Sequence, residues 1–432
     1  MRYQYHSGSI LLALSIAAGL CLPAVAADQS KGFVAGTSVT LQARNYYFTR
    51  NFTDLVAPDQ QSKSEEWAQG FIFDAKSGYT PGKVGFGVDL LGLLGIKLDS
   101  SADRARTGLL STGSDGKSHS NYSRLGATLK ARWSQTELKI GELRPDLPVL
   151  MFSDLRLLPP TYQGVNIQSR EISGLTVQAG QLYSASLLNE SGDGKMHAKL
   201  GHRPQLMAGT ATDRFNYFGA DYTFNDERGS AGVWYAQLQN LYSQRLYRVR
   251  HSVSVGDWVF EGRLGYFDSR EDGDQLLGNI DNQAAASRLS AHYAGHTFLV
   301  GYQAMFGDDA LPRVFNNGTP LDNEIPTFEF AGADERSWQL RYDYDFAAMG
   351  APGLIAGVRF VKGDNVDVQA TNGGGERYEG KEWERDLDIG YTVQSGLLKN
   401  LNIRVRNVTA RSNYRTDIDE NRLIFNYTWT LL

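Results

Sequence analysis

Arginines at alternate positions are the residues of this 432-residue sequence whose type and spacing could do chemistry. Arg124 and Arg132, for example, lie on the polar face of a segment whose other face carries Leu125 and Leu129. A guanidinium stays charged at neutral pH and presents forked donors that match a carboxylate. A row of such groups on one wall would give a small organic anion a succession of similar, shallow binding sites.

The same alternation places thirteen arginines on polar faces, and two roles are open for each of them. The thirteen are Arg44, Arg124, Arg132, Arg170, Arg248, Arg250, Arg263, Arg288, Arg341, Arg359, Arg404, Arg406 and Arg422. Each could bind a passing anion, or it could pair with an acid of the polar faces and brace the structure. Those acids are Asp89, Glu137, Glu261, Asp343, Asp386 and Asp388. The acids cluster in the later segments while the arginines are spread throughout, so pairing does not explain the whole set.

Other residue types form no recognised catalytic or metal-binding motif. Beyond residue 27 the histidines are His119, His197, His202, His251, His292 and His296, and none lies in a hydrolase motif. The acidic segments 268–274 and 364–367 lack the ligand spacing of a calcium loop. We therefore predict no catalytic residues, no metal and no cofactor.

The composition indicates apolar residues that are used sparingly and in alternation. The chain has 46 Gly, 22 Tyr, 20 Phe and 7 Trp, yet its mean hydropathy is -0.36. This balance disfavours both a helical membrane protein and a disordered chain. The formal net charge of -5 leaves no basic excess that could neutralise phosphates, so nucleic acid is not an expected partner.

Residues 1–27 are typical of a secretory signal peptide. Arg2 precedes an apolar run over 10–22, and small residues follow at Ala24, Ala26 and Ala27. Thirteen apolar residues are too few for a membrane-spanning helix. The single cysteine, Cys21, lies within this segment. The expected mature chain, residues 28–432, therefore has no cysteine and is predicted to form one domain.

Period-two alternation is the dominant pattern of the mature chain. Residues 84–98 and 423–431 show it most clearly, with aliphatic or aromatic residues on one face and mostly small or polar residues on the other. We count about 18 such segments of about 10 residues, the length of a strand that crosses a bilayer at a tilt. Because an open sheet edge would leave backbone groups unpaired in hydrocarbon, these strands must close into a barrel.

The connectors strengthen this prediction of an all-β, closed, antiparallel transmembrane barrel. Very short turns, such as 225–229, 256–257, 295–296 and 351–353, alternate with long polar connectors. The longest connectors are predicted over 99–121, 184–213, 271–286, 307–335 and 363–382. All seven tryptophans are expected at strand ends, where the membrane interfaces lie. A soluble β-sandwich with alternating strands is the competing fold.

One segment, residues 141–164, does not fit strand alternation. It contains four prolines and too many apolar residues for an exposed loop, and it lies between the fifth and sixth predicted strands. A barrel of about 18 strands has a lumen too wide for side chains to fill. We therefore expect this segment to fold into the lumen and to narrow it.

Several segments together resemble the OprD-type porins, also called outer-membrane carboxylate channels. They are the 141–164 segment, residues 44–48, 66–70, 76–80, 315–317 and 337–342, and the likeness covers essentially the whole mature chain. The resemblance implies an 18-stranded barrel in a Gram-negative outer membrane, with long extracellular loops, short periplasmic turns, and the third and seventh loops folded inward as a constriction.

The resemblance also implies passive uptake of small carboxylate-bearing solutes along a basic ladder. The positions that best match this ladder are Arg44, Arg404, Arg406 and Arg422, and the constriction candidates are Ser153, Asp154, Asp308 and Asp309. Outer-membrane lipid and lipopolysaccharide are the other expected partners. The barrel is expected as a monomer or a weak homotrimer.

Three alternative functions stay open at the level of sequence. The first is a channel of the same family that prefers basic amino acids or peptides, since those solutes also carry a carboxylate. The second is a general diffusion porin with a wider opening and no solute preference. An outer-membrane hydrolase is the third and is less favoured, because no histidine lies in a catalytic motif.

Overall fold

The computed structural model describes residues 32–55, 61–203, 210–318 and 321–432, so the predicted signal peptide lies outside the described residues. Within these ranges one antiparallel sheet of 18 strands accounts for most of the chain. The strands are β1 (Ser38–Thr53), β2 (Lys63–Lys76), β3 (Val84–Asp99), β4 (Asn121–Trp133), β5 (Thr136–Leu143), β6 (Thr161–Ser169), β7 (Leu175–Ser186), β8 (Phe215–Phe224), β9 (Gly229–Leu238), β10 (Tyr242–Val255), β11 (Trp258–Glu271), β12 (Asp281–Tyr293), β13 (His296–Phe306), β14 (Arg336–Asp345), β15 (Leu354–Asp367), β16 (Glu379–Thr392), β17 (Asn402–Ser412) and β18 (Asp417–Thr430).

The sheet closes on itself between its first and last strands. Each strand pairs with its sequence neighbours, and β1 pairs with both β2 and β18, so that Arg44 lies opposite Gly70 on one side and Asn426 on the other. Closure gives both edges of every strand a hydrogen-bonding partner, which a sheet in hydrocarbon requires. The predicted closed antiparallel barrel is confirmed.

The two ends of the barrel differ in the lengths of their connections. At the end that carries residues 38 and 430, here the termini end, strands are joined by turns as short as 134–135 and 256–257. At the opposite end, here the loop end, lie loop 2 (100–120), loop 3 (144–160), loop 4 (187–214) and loop 7 (307–335). This separation of short turns from long loops agrees with the sequence prediction.

Some predicted boundaries are wrong at the loop end. The connectors expected over 271–286 and 363–382 are shorter, because β12 begins at Asp281 and β15 and β16 extend to Asp367 and Glu379. Residues 282–286 continue the alternation with small inward side chains at Ala284 and Ala286, which a search for large apolar residues does not detect. The connections 239–241 and 413–416 are also tight turns rather than long loops.

The outward face of the barrel is apolar. Leu125 is 82% exposed and Leu129 is 65% exposed, while the intervening Thr128 is buried on the inner side. The same alternation holds on β14, where Trp338 and Leu340 are exposed and Gln339 is buried. Apolar outward and polar inward alternation is the arrangement that lipid on one side and water on the other require.

One tryptophan departs from the expected interfacial position. Trp234 lies in the middle of β9, faces inward and is only 4% exposed. Its Nε1 donates a hydrogen bond to Asp221 Oδ2 at 3.0 Å. Its ring covers Gly219, where a Cβ atom would lie 2.1 Å from the indole. A glycine on the neighbouring strand thus makes room for a lumenal indole.

Hydrophobic clusters lie inside the barrel, where the long loops fold against the wall. Leu91 and Leu93, the two residues that break the alternation of β3, face inward and are buried. They pack with Leu109 and Leu110 of loop 2 and with loop 3. The lumen therefore has apolar wall positions at the places that inward loops cover.

Short elements complete the fold among the described residues. Asp146–Leu147 pairs with Leu150–Met151 within loop 3, and Met196–Leu200 pairs with Ala211–Thr212 and Pro312–Val314, which joins loop 4 to loop 7. Short helices span Gly32–Ala35 and Val368–Asn372, and a 3-10 helix spans Phe346–Met349. None of the described helices is long and apolar enough to cross a membrane.

The outward assignment of β4 predicts the effect of a charge placed there. Leu129→Arg would bury a guanidinium in hydrocarbon and should lower the free energy of unfolding from liposomes by about 2–4 kcal/mol, measured by denaturant titration. The control is Gly265→Arg, whose side chain would enter the lumen, where no atom lies within 4 Å of the Cβ position. Equal stability of the two variants would contradict the assignment.

Candidate functional site: lumenal arginines and inward loops

Loop 3 is fastened to the barrel wall by an ion pair between Arg44 of β1 and Asp154. The two guanidinium nitrogens of Arg44 lie 2.6 and 2.8 Å from the two carboxylate oxygens. Arg44 also donates to the carbonyl oxygen of Arg156 at 2.9 Å, and its Nε donates to Asn426 Oδ1 at 2.9 Å. One wall arginine thereby holds two residues of the loop, Asp154 and Arg156, within the lumen.

Apolar packing seats the same part of loop 3. Leu157 and Leu158 are fully buried against the inner faces of β1 to β3. Gly70 of β2 permits this approach, since a Cβ atom there would lie 3.0 Å from Leu157 Cγ. The proline-rich apolar segment is therefore buried in the lumen, as its composition predicts.

Loop 7 is fastened to the opposite side of the same seam. The backbone amides of Thr327 and Phe328 donate to the carboxylate of Glu384 on β16 at 3.1 and 2.6 Å. Arg422 of β18 donates to the carbonyl oxygen of Pro326 at 3.1 Å. A wall carboxylate and a wall guanidinium thus hold loop 7 by its backbone.

The two inward loops also contact each other directly. The amide of Gly318 in loop 7 donates to the carbonyl oxygen of Met151 in loop 3 at 3.1 Å, forming an antiparallel bridge. The side chain of Asn317 donates to the hydroxyl of Tyr162, where loop 3 returns to β6. Loops 3 and 7 therefore form one connected structure across the lumen and narrow the passage beside it.

Three of the predicted arginines share one carboxylate on strands β10 to β12. Arg250, Arg263 and Arg288 are directly opposite one another on adjacent strands. Glu261 lies 2.9, 2.7 and 3.2 Å from their respective guanidinium nitrogens. Arg288 also contacts Asp322 of loop 7 at 2.7 Å. Burial raises the pKa of Asp322 above its ordinary value, although Arg288 opposes this shift.

A second group lies on strands β14 to β17. Arg404 and Arg406 both bind Asp388, with donor distances of 2.6 and 2.8 Å. Arg341 and Arg359 lie opposite each other and pair separately, Arg341 with Asp343 at 2.7 Å and Arg359 with Asp386 at 2.6 Å. The first pair has one carboxylate for two guanidiniums, whereas the second has two.

A third group, the Phe48 cluster, comprises Arg50, Arg156 and Arg422 around the ring of Phe48. The guanidinium carbons lie 5.0, 5.3 and 4.7 Å from the ring centroid, within the range of cation–π contacts. Glu420 pairs with Arg50 at 2.8 Å and also with Arg422. Burial and the neighbouring guanidiniums lower the pKa of Arg156 to about 10, so Arg156 remains charged at neutral pH.

The remaining predicted arginines do not join these groups. Arg248 pairs with Asp221 at 2.8 Å. Arg124 donates to the carbonyl oxygen of Pro159 at 2.7 Å and thus supports loop 3. Arg132 lies over the ring of Tyr79, 4.0 Å from its centroid. Arg170 follows the last residue of β6 and lies in the turn at the termini end, so it is not on the wall.

The four constriction candidates separate into two places. Ser153 and Asp154 lie in loop 3, and Asp154 is held by Arg44. Asp308 and Asp309 instead lie where the chain leaves β13 at the loop end. Asp309 is buried, pairs with Arg203 of loop 4 and accepts a hydrogen bond from a backbone amide. The structure therefore places Asp309 in the packing between loops, whereas the sequence prediction put it beside the opening.

Sequence reasoning missed two members of the Phe48 cluster. Arg50 lies on the same face of β1 as Arg44, Tyr46 and Phe48, two residues beyond Phe48. Continuing the alternation by two residues would have found it. Arg156 belongs to a loop, where strand alternation gives no direction. Only the fold of loop 3 brings it to Phe48.

Comparisons with known proteins agree on one family. Residues 31–431 match the family described as outer membrane porin, OprD family. The chain is 41% identical to the porin-like protein GalP of Pseudomonas putida over 423 residues, which cover 97% of each chain.

Solved structures with closely similar folds come from Pseudomonas aeruginosa. OccK9 (OpdG) matches with a TM-score of 0.88 and 47% identity, covering 93% of this chain and 100% of that one. The structure of OpdK with vanillate matches with a TM-score of 0.85 and 41% identity, covering 92% and 100% of the respective chains.

The ion pair between Arg44 and Asp154 predicts how loop 3 is held. Asp154→Asn removes the charge but keeps the size, so loop 3 should detach more often and single-channel current should show more frequent steps to higher conductance. Planar-bilayer recording would measure this. The matched control is Ser153→Ala, which should behave as wild type; identical current noise in Asp154→Asn and wild type would show that the pair does not hold the loop.

Proposed function

Because the chain belongs to the OprD family and is a substrate-specific porin of the Gram-negative outer membrane, we propose that it carries small carboxylate-bearing solutes along its lumenal arginines. The termini end then faces the periplasm and the loop end faces the exterior. The solutes are organic or aromatic acids that move down their concentration gradient. Each chain closes its own barrel and therefore provides a complete pore.

The observation that supports this proposal is the sharing of carboxylates among guanidiniums. Asp388 serves Arg404 and Arg406, and Glu261 serves Arg250, Arg263 and Arg288, which are partly exposed. A guanidinium has five donors, and a shared carboxylate satisfies only some of them. The wall can therefore accept a further carboxylate without first breaking every internal ion pair.

Exchange between neighbouring sites follows from the same arrangement. A solute carboxylate that binds Arg406 replaces part of its bond to Asp388, and the displaced acid remains paired with Arg404. The free-energy change of each exchange is small, since one charge-assisted hydrogen bond replaces another. Neighbouring sites that bind an anion with similar, weak affinity allow it to enter and to leave, as conduction requires.

The arginines extend along the direction of transport. Arg50 is three residues from the loop end of β1, and Arg404 is two residues from the termini end of β17, with Arg422 between them near the middle of β18. The ring of Phe48 is fully buried beneath loop 3, so the Phe48 cluster supports the inward loops and does not present an apolar surface to a solute.

Simple carboxylates fit the constriction better than basic amino acids. A basic amino acid would need an available acid for its cationic end, and Asp154, the candidate acid of loop 3, is held by Arg44. Vanillate, with which the similar OpdK was solved, is an aromatic carboxylate. A channel for basic amino acids is therefore the second candidate.

A general diffusion porin is less consistent with the bonded loops. Loops 3 and 7 are joined to each other and to the wall, and this arrangement limits the open cross-section. Membership of a porin family and a barrel whose charges line its interior likewise support a channel rather than a hydrolase.

Removing the shared pair of guanidiniums should reduce carboxylate transport. The double variant Arg404→Gln, Arg406→Gln loses charge-assisted bonds worth about 1.5–3 kcal/mol each, so benzoate flux into liposomes should fall at least about tenfold. Arg245→Gln, on the outer face, is the control and should transport as wild type. Unchanged flux of both benzoate and arginine through the double variant would reject the role of these arginines.

The Asp322–Arg288 pair predicts a change in ion selectivity. Asp322→Asn frees Arg288 of one carboxylate, so the reversal potential in a salt gradient should shift toward anion preference. Acidification should act in the same direction in wild type, because the raised pKa of Asp322 lets it protonate before ordinary aspartates do. If the reversal potential of Asp322→Asn stays constant on acidification while that of wild type shifts, the assignment is supported. If the reversal potential of Asp322→Asn equals that of wild type at neutral pH, the assignment is refuted.

A further inference from the structure

The last residue of loop 7 carries a buried carboxyl group with an unpartnered oxygen. Glu335 is only 1% exposed. Its Oε2 accepts a hydrogen bond from the backbone amide of Gly332 at 2.8 Å, whereas its Oε1 has no hydrogen-bond partner among the described residues. A buried carboxylate oxygen without a partner is costly, so this atom requires an explanation.

A second carboxyl group lies beside Glu335 on the barrel wall. Oε1 of Glu335 fills the space above Gly363 of β15, where a Cβ atom would clash with it. Gly363 is directly opposite Glu382 of β16, and the Cβ positions of such a pair are about 4.5–5.5 Å apart. Glu382 is 2% exposed. Two buried carboxyl groups therefore lie side by side where loop 7 joins the wall.

The cation and the hydroxyl group that reach this place are bonded to Glu382. Arg415, in the turn 413–416, lies 2.6 Å from Oε2 of Glu382, and the hydroxyl of Tyr414 donates to the same oxygen at 2.5 Å. The guanidinium of Arg415 also lies over the ring of Phe328 in loop 7, 3.4 Å from the ring centroid. One guanidinium is thus shared between two carboxyl groups.

The other charged groups of loops 4 and 7 near Glu335 are paired with each other. Lys199 of loop 4 pairs with Glu329 of loop 7. Arg313 lies 2.8 Å from Glu324 and 3.6 Å from Glu329. Within the described part of these loops and the adjoining wall, Glu335 is the carboxyl group of this cluster that has no ion pair.

Two further titratable groups border the cluster and do not neutralise Glu335. His202 of loop 4 accepts a hydrogen bond from Arg415 at 3.1 Å. Burial and the charge of Arg415 lower the pKa of His202 to about 3, so this imidazole is neutral. Glu384 of β16 accepts the backbone amides of Thr327 and Phe328, and a charged carboxylate can accept both bonds.

We propose that Glu335 and Glu382 share one proton and that this proton clamps the base of loop 7 to the barrel wall. The protonated carboxyl group donates an O–H···O hydrogen bond to its charged neighbour, which gives Oε1 of Glu335 the partner that it lacks. Arg415 balances the one negative charge that remains. In agreement, burial and the adjacent carboxyl group raise the pKa of Glu335 above its ordinary value.

Loss of the shared proton loosens loop 7. Two carboxylates would then face each other in a space that holds at most about one water molecule, with one guanidinium for both. A carboxyl group whose pKa is raised by folding stabilises the folded loop at low and neutral pH, and this stabilisation is lost as the pH rises through the raised pKa. Because loop 7 narrows the lumen together with loop 3, its release in alkaline medium widens the passage.

Single-channel recording in salt alone tests the clamp and does not depend on which solute the channel carries. The range is about pH 6 to about pH 9.5, since buried carboxyl groups can titrate as high as about pH 8–9. Below the pKa the deprotonated fraction rises about tenfold per pH unit, so steps of wild type to higher conductance should become more frequent by up to that factor.

Glu335→Gln should remove this pH dependence. Its amide donates a hydrogen bond to Glu382 at every pH, so the variant should keep the conductance and the low step frequency that wild type shows at about pH 6. The matched control is Asp334→Asn at the adjacent, half-buried position, where Asn tolerates the positive φ of 59°. This control should respond to alkaline pH as wild type does.

Three results of the recordings would overturn the proposal. They are a wild type without alkaline steps, alkaline steps in Glu335→Gln as frequent as in wild type, and a lost alkaline response in Asp334→Asn. Infrared difference spectroscopy adds a readout that does not require the loop to move. The carbonyl band of a protonated carboxylic acid should decrease in wild type over the same pH range and stay unchanged in Glu335→Gln; a wild-type band that does not change would show that no proton is shared.

Discussion

The requirement that every backbone N–H and C=O facing hydrocarbon have a partner determines the rest of this structure. It forces the sheet to close between β1 and β18, and closure gives every strand one face toward lipid and one toward the lumen. Side-chain polarity then decides the direction, so that the aliphatic face of each strand lies outward and the arginines lie inward. A membrane barrel thus concentrates charge in its lumen because its exterior cannot hold any at depth.

The wide lumen then has to be narrowed by loops, and the loops use the charged wall as their support. Arg44 and Arg422 each hold a loop by backbone carbonyls. Acids of the wall and loops also limit the number of guanidiniums that remain available. The balance between bracing and binding is therefore set locally: the pair Arg359–Asp386 is satisfied internally, while Arg404 and Arg406 divide one carboxylate. Bracing is observed at positions such as Arg359, whereas anion binding is the role proposed for Arg404 and Arg406.

The fold could be predicted from sequence because every strand is exposed to lipid on one face and therefore shows the period-two alternation of apolar and polar residues. The burial of residues 141–164 was also predictable, since prolines prevented a strand and apolar residues prevented exposure. Other features depend on contacts between distant segments. Arg156 reaches Phe48 only through the path of loop 3, and Asp309 meets Arg203 only because loops 4 and 7 pair. Alternation gives no direction to a loop side chain. The interfacial preference of tryptophan misplaced Trp234, whose ring lies inward over Gly219.

Current through single wild-type channels in a planar bilayer, with benzoate or arginine added on the loop side, tests the central claim most directly. The account predicts discrete channel steps that are interrupted by benzoate in a concentration-dependent manner and much less by arginine, because the arginine wall binds a carboxylate and Asp154 of loop 3 is already paired with Arg44. Interruption by arginine alone would assign the channel to cationic substrates. Steps that neither solute affects would contradict carboxylate binding in the lumen.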